Sequence, residues 1–176
     1  MAIRPVLKMG HPVLRQVADP VKRFDEGLDE LLADMDDTMR SLHGAGIAAP
    51  QIGVSLRVVI FEVQENPRYP QVTPVPYTVL INPELTPIGH EEEDGWEGCL
   101  SVPGMRGLVP RLRQLRYRGV DRYGAPIDRT VEGFHARVVQ HEVDHLDGIL
   151  YPQRIRDLRE FGFEDVLAGQ LTAMPD

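Results

Sequence analysis

Three scarcities narrow the reading at once. A single thiol, Cys99, cannot close an intrachain disulfide, so a disulfide-stapled secreted scaffold is excluded. No uninterrupted apolar stretch approaches the roughly 20 residues that span a bilayer, so no membrane partner is expected. Positive charge is also short: 19 Lys+Arg face 27 Asp+Glu, a formal charge of -8. Stable coating of nucleic acid needs a cationic surface, and this chain lacks one. The opening MAIRPVLKMG has neither the apolar core nor the small-residue cleavage site of a secretory signal. No internal repeat and no dividing linker is visible, so residues 1–176 are expected to form one domain. A hydrophobic content of 42% argues against disorder along the whole chain. The expectation is a soluble cytoplasmic protein, or an organellar one if a transit peptide has been removed.

What is present has a clear order. Pro5, Gly10, Pro12 and Pro20 favour an irregular arm over the first 24 residues. Leu28, Leu31, Leu32, Met35, Met39 and Leu42 recur at spacings of three and four, which predicts an amphipathic helix over Asp25–His43, ended by Gly44. Leu56–Val63 and Tyr77–Asn82 read as strands, with a proline-rich loop over Asn66–Pro76 between them. Arg113–Asp121 and Ile127–Val131 read as a hairpin turning near Tyr123-Gly124. Phe134–Ile149 is apolar over much of a helical circumference, and Ile155–Gln170 suggests a closing helix. Strands grouped apart from helices indicate an α+β fold. The expected form has antiparallel sheets packed around a central buried helix that carries the HExxH motif.

That motif lies in Gln140–Gly148, QHEVDHLDG. On a helix, His141 and His145 leave the same face one turn apart and can reach one metal ion. Glu142 projects beside that face, where it can take a proton from a water acidified by the ion. The bland alternative is a helix with two solvated or core histidines. A catalytic site of this type needs a third ligand. A metzincin-type third histidine is excluded, because Tyr151 stands at its position. Glu164, 19 residues downstream, would serve in a thermolysin-like peptidase. Cys99, in Glu97-Gly98-Cys99-Leu100-Ser101, would serve as a thiolate for zinc or iron(II). A third segment, Gly44–Gly53 (GAGIAAPQIG), is rich in small residues that let backbone approach a substrate, with Gln51 just beyond. It lacks the marks of a phosphate loop.

Together, Gly44–Gln51, Glu97–Ser101 and QHEVDH at Gln140–His145 resemble the three ordered motifs of the peptide deformylase family. VLKMGHPVLRQVADPV near the start, INPEL at Ile81–Leu85 and VPGMRGLVPR at Val102–Arg111 extend the likeness to about Ile155. One position departs: Ala45 stands where the family more often carries a larger aliphatic residue. The resemblance implies a metal-dependent hydrolase that removes the formyl group from the N-terminal formylmethionine of nascent polypeptides. It implies Cys99, His141 and His145 as metal ligands, with water in the fourth place. Glu142 would be general base and then acid, and Gln51 and the Leu100 N–H would be oxyanion donors. Gly46, Ile47, Gly98, Arg106, Phe134 and Val138 would line the substrate groove. Iron(II) is the implied native ion, with zinc, nickel or cobalt as possible replacements.

Other readings remain to be weighed. A non-catalytic metal-binding module would need four protein ligands, and His11, His43, His90 and His135 sit in no ligand-spaced motif. Arg106, Arg111, Arg113, Arg116, Arg118 and Arg122 form a basic stretch. The plainer reading is a solvated sheet face, and the sharper one is a transient contact with the ribosome. Glu91–Asp94 reads as a solvated loop, and Trp96 either packs or lines the groove.

Overall fold

A computed structural model describes residues 2–64 and 73–171. Helix α1 (Glu26–Ser41) starts where extended Asp25 accepts a hydrogen bond from the Leu28 N–H at 3.4 Å. Glu26 and Asp29 in its first turn and Arg40 in its last complement the helix dipole. The anticipated stop differs by one residue. His43, not Gly44, takes the left-handed conformation (φ 54°), and the His43 and Gly44 N–H groups bond to Arg40 and Met39 carbonyls at 3.2 and 3.0 Å. Gly44 instead allows close packing, since a Cβ there would lie 3.0 Å from Leu100.

The strands are β1 (Gly46–Ala48), β2 (Val58–Val63), β3 (Val75–Pro87), β4 (Glu92–Cys99), β5 (Val102–Leu112), β6 (Gln114–Val120), β7 (Pro126–Glu132) and β8 (Phe161–Phe163). Five form an antiparallel sheet in the order β1-β2-β3-β6-β7, and three form a second in the order β4-β5-β8. Helix α2 (Gly133–Leu146) and the short α3 (Glu164–Leu171) complete the α+β arrangement. The apolar run of β2 is buried on both faces. Val59 and Phe61 pack with Val139, Val143 and Leu146 of α2. Val58 and Ile60 pack with Leu28, Leu32, Met35 and Met39 of α1. The two helices therefore cover opposite faces of the larger sheet, each buried aliphatic side chain contributing roughly 1.5–3 kcal/mol. On its other side α2 meets the smaller sheet, where the Gln140 amide bonds to both the N–H and the carbonyl of Leu112 (3.0 and 2.9 Å).

The β4–β5 hairpin was not anticipated. Its acidic start, read as a loop at Glu91–Asp94, pairs with β5 from Glu92 onward. Glycines and prolines in Val102–Arg111 similarly hide a strand. The β6–β7 hairpin falls where expected. Most of the Asn66–Pro76 loop lies outside the described residues, while Val75 and Pro76 already belong to β3. A continuous closing helix over Ile155–Gln170 is not formed. Asp157 accepts the Arg159 N–H at 3.0 Å and closes a short turn, after which β8 extends to pair with Met105–Gly107. Gly107 permits that approach, because a Cβ on it would fall 2.3 Å from Ile155 and 3.2 Å from Phe161.

After α2, Gly148 turns the chain at φ 72°, and a Cβ there would lie 2.6 Å from the backbone of Arg15. Gly148→Ala is expected to cost roughly 1–3 kcal/mol, from left-handed strain and displacement of the N-terminal arm. Thermal unfolding checks this: a midpoint within about 1 °C of the parent would refute it, since each kcal/mol shifts a chain of this size by roughly 2–4 °C.

Candidate metal centre and active site

The second sheet opens where chemistry is expected. Glu97 pairs with Gly107 but Cys99 pairs with Val102, so the ladder breaks opposite Gly98 and Pro103–Arg106 bulges into a cleft. The cleft holds about 530 Å³. One wall is Gly44, Ala45 and Gly46, leading into β1, the terminal strand of its sheet. Trp96, Gly98, Leu100 and Arg106 line the cleft as well, with Leu100 close against Gly44. Phe134, Val138, His141 and Glu142 of α2 form the floor.

Cys99, at the end of β4, meets His141 and His145 of α2, with one donor atom from each lying within 4.8 Å of the others. Cys99 Sγ is 3.5 Å from His145 Nε2. A tetrahedral ion with metal–sulfur and metal–nitrogen bonds of about 2.3 and 2.0–2.1 Å separates its S and N ligands by about 3.5 Å, so the donors fit such an ion. Among the described residues no fourth His, Cys, Asp or Glu joins the group, which leaves it open rather than closed as in structural zinc sites. Glu164 is outside the cluster; its carboxylate instead accepts from Arg106 Nε at 2.8 Å at the rim of the cleft. The thermolysin-like arrangement is thereby corrected.

Glu97 holds the centre in place. Its Oε1 lies 2.6 Å from His141 Nδ1; a carboxylate oxygen accepts, so Nδ1 is the donor and Nε2 is the ring nitrogen turned toward the cluster. Arg111 donates Nε and Nη2 to the two Glu97 oxygens, each at 2.9 Å, and Arg137 Nη1 adds a bond of 2.8 Å. Burial alone would raise the Glu97 carboxyl, but bonds and charge from Arg111 and His141 outweigh it and hold it well below the usual carboxylate range. Arg111 also reaches Asp144 Oδ2 at 2.5 Å, and Arg154 binds the other Asp144 oxygen at 2.7 Å. Arg111 is 4% exposed, so its expected place on a solvated face is wrong. Two carboxylates draw it inward. Glu97, Arg111, Arg137, Asp144 and Ser101 were all missed as site residues. The available signals were adjacency of Glu97 and Asp144 to ligand positions, and the one-turn spacing from Arg137 to His141.

Glu142 is 4% exposed and its Oε2 has no hydrogen-bond partner among the described residues. Burial pushes its carboxyl up to about 7, opposed by His141 and reinforced by Glu97. Gly46 makes room for it, because a Cβ there would come within 2.3 Å of Glu142 Oε1. Gln51 is pinned through Oε1, which accepts the Ala48 N–H at 2.8 Å. Its Nε2 therefore faces the site, 3.1 Å from Ser101 Oγ and 3.5 Å from Cys99 Sγ. Gly46, Gly98, Arg106, Phe134 and Val138 line the cleft with Leu100, and Trp96 does so too. Ile47 differs: it is fully buried in the α1 core and does not line the cleft, although its neighbour Gly46 does. The remaining arginines of the basic stretch are paired with carboxylates, Arg113 with Glu91 and Glu93, Arg116 with Asp128, Arg118 with Glu84 and Arg122 with Asp29.

An open thiol–imidazole cluster with an unpartnered carboxyl oxygen beside it, facing a cleft, has the make-up of a metal-dependent hydrolase on an α+β fold. The family model for polypeptide deformylase matches residues 3–161. Peptide deformylase 1 of Nitrosomonas europaea is 66% identical over 97% of this chain and 98% of its own length. Peptide deformylase 2 of Ralstonia nicotianae is 59% identical, covering 97% of each chain. The Met-Ala-Ser-bound class I type b peptide deformylase of Acinetobacter baumannii superposes with a TM-score of 0.83 at 41% identity, over 88% of this chain and 99% of that one. The chain belongs to the polypeptide deformylase family, whose metal-dependent enzymes remove the N-formyl group from nascent polypeptides.

Proposed function

We propose that residues 1–176 act as one catalytic domain in which α2 is the central helix of both sheets and carries the HExxH motif. In this reading Cys99, His141 and His145 hold one divalent ion, natively iron(II), with zinc, nickel or cobalt also accepted. When bound, the ion supplies a water acidic enough to act at neutral pH and draws electron density from the formyl carbonyl. The observation that carries the reading is the Glu142 oxygen, buried and unpartnered at the floor of the cleft beside the donor cluster.

Glu142 takes the proton released as water attacks the formyl carbon, then delivers it to the departing amine nitrogen, and formate is set free. Negative charge growing on the carbonyl oxygen is met by Gln51 Nε2, which gives up its long contact to Cys99, and by the Leu100 N–H. A donor so placed is typically worth about 3–4 kcal/mol, or roughly a hundred- to thousandfold in rate. The methionine side chain enters between Phe134 and Val138, while Gly46 and Gly98 admit the peptide between two sheet edges. Arg106 stands at the rim for the residues that follow. A formyl carbon bears only hydrogen, so a narrow site accepts it and rejects acetyl.

The encounter with substrate is placed in the cytoplasm, with at most a transient visit to the ribosome. Pairing of the surface arginines supports the absence of stable nucleic-acid binding. Among the described residues no helix is long and apolar enough to cross a membrane.

Formate release from a formyl-Met peptide, measured anaerobically with iron(II) or nickel(II) supplied, tests the reading. Rapid turnover that a chelator abolishes is expected. Metal-loaded, folded protein with no turnover would overturn it.

A further inference from the structure

Arg137 is the one arginine or lysine of α2, and neither the metal cluster nor the proton path described above uses it. It lies one helical turn before His141, with its side chain 11% exposed. Its guanidinium spans the smaller sheet. Nη1 donates to Glu97 Oε2 and to the Val109 carbonyl, both at 2.8 Å, and Nη2 donates to the Glu93 carbonyl at 2.6 Å. Nη1 also approaches the Gly95 carbonyl at 3.5 Å. These acceptors belong to β4 and to its register partner on β5, since Gly95 is opposite Val109. The seat exists because position 95 has no side chain: a Cβ on Gly95 would fall 2.7–2.8 Å from the guanidinium. A planar fork can satisfy acceptors in several fixed directions, whereas an ammonium is a point charge on a flexible stem.

Glu97 is thus gripped from two successive turns of one helix, by Arg137 through Oε2 and by His141 through Oε1. Cys99 is two residues further along the same strand. Arg111, the other cation on Glu97, also bonds Asp144 of α2 and so braces α2 to β4 from β5, as a third element between them, whereas Arg137 makes the tie directly from α2 itself. We propose that Arg137 is a positioning residue for the metal centre, fixing α2 against β4 through Glu97 and so setting the spacing between the Cys99 thiol and the two imidazoles. The inference rests on the metal-ligand reading above, but its test does not require deformylase activity. It separates Arg137 from a residue that merely stabilises the fold, because the ligand spacing, and not only the melting point, should change.

The experiment compares wild type with Arg137→Met, Arg137→Lys and Gly95→Ala. Zinc transfer to a chelating dye is timed, and the visible spectrum of each cobalt(II) form is recorded. Loss of an outer partner of a metal-bound histidine typically weakens metal binding by roughly 10–100-fold. Arg137→Met is expected to release zinc at least about tenfold faster, with an altered cobalt–thiolate band, and Arg137→Lys to recover only part of the loss. Gly95→Ala keeps every charge but evicts the guanidinium, so it should reproduce the Met variant, and it reads the proposal even if that variant fails to fold. Wild-type release kinetics and spectrum in Gly95→Ala and in folded Arg137→Met, whatever their melting points, would overturn the proposal. A wild type that binds no metal would overturn the metal-ligand reading instead.

Discussion

Glu142→Gln is expected to keep one metal ion per chain and to lose nearly all turnover. The amide has almost the shape of the carboxylate, so the buried pocket beside Gly46 still accepts it, and Glu142 is not among the three donors that converge. What disappears is a group able to take a proton from water and pass it to the amine. Positioned proton transfer contributes roughly 10²–10⁴-fold to catalysis, and kcat/KM should fall by that order. Gly46→Ala should give a related loss by a different route. Its methyl would occupy the space of Glu142 Oε1, displacing the carboxylate while leaving its chemistry intact. Metal analysis alongside formate release decides the matter. Glu142→Gln with normal metal and more than about a tenth of parental turnover would remove Glu142 from its assigned role.

Cys99→Ala should have an equally large effect with the opposite signature, loss of the ion first and of activity in consequence. Among the described residues Cys99 is one of three donors that converge, and two imidazoles alone form a poor site for a divalent ion. Glu164→Ala should leave metal content unchanged, because its carboxylate faces Arg106 at the rim. Its exposed ion pair should contribute little to stability, about 0–1 kcal/mol. Equilibrium dialysis of both variants against zinc distinguishes the ligands. Retained metal in Cys99→Ala together with loss in Glu164→Ala would restore the thermolysin-like arrangement.

Local pattern made much of this molecule legible. Apolar spacing located α1, β2 and α2, because each buries a stripe or a face whose period survives in one dimension. The HExxH pair was readable for the same reason, as both imidazoles lie within one turn of a helix. Residues brought together by pairing between strands were harder. Cys99 could be nominated as a ligand from its setting but not placed against α2 by spacing alone. Arg111 shows the limit most clearly. Alternation along the chain describes it as one more surface arginine, yet Glu97 and Asp144, 14 residues before it and 33 after, make its burial favourable. The β4–β5 hairpin was hidden because acidic residues and glycines are permitted on a strand whose outer edge borders a cleft. Gly95 is then space for another group, the Arg137 guanidinium, and Gly98 is part of the cleft lining.

The double-sided burial of β2 divides the molecule's tasks. Val59 and Phe61 lean on the helix that carries His141 and His145, while Val58 and Ile60 lean on the helix that carries no member of the donor cluster. Changes in the α1 half therefore reach the ligands through the backbone of the sheet and through Leu100, which packs on the α1 core next to Cys99. Away from Leu100, the α1 half is thus expected to vary in composition, gaining or losing stability, with less effect on the spacing of the donors. The α2 half has less latitude, since Val139, Val143 and Leu146 fill it from the same helix that carries His141 and His145.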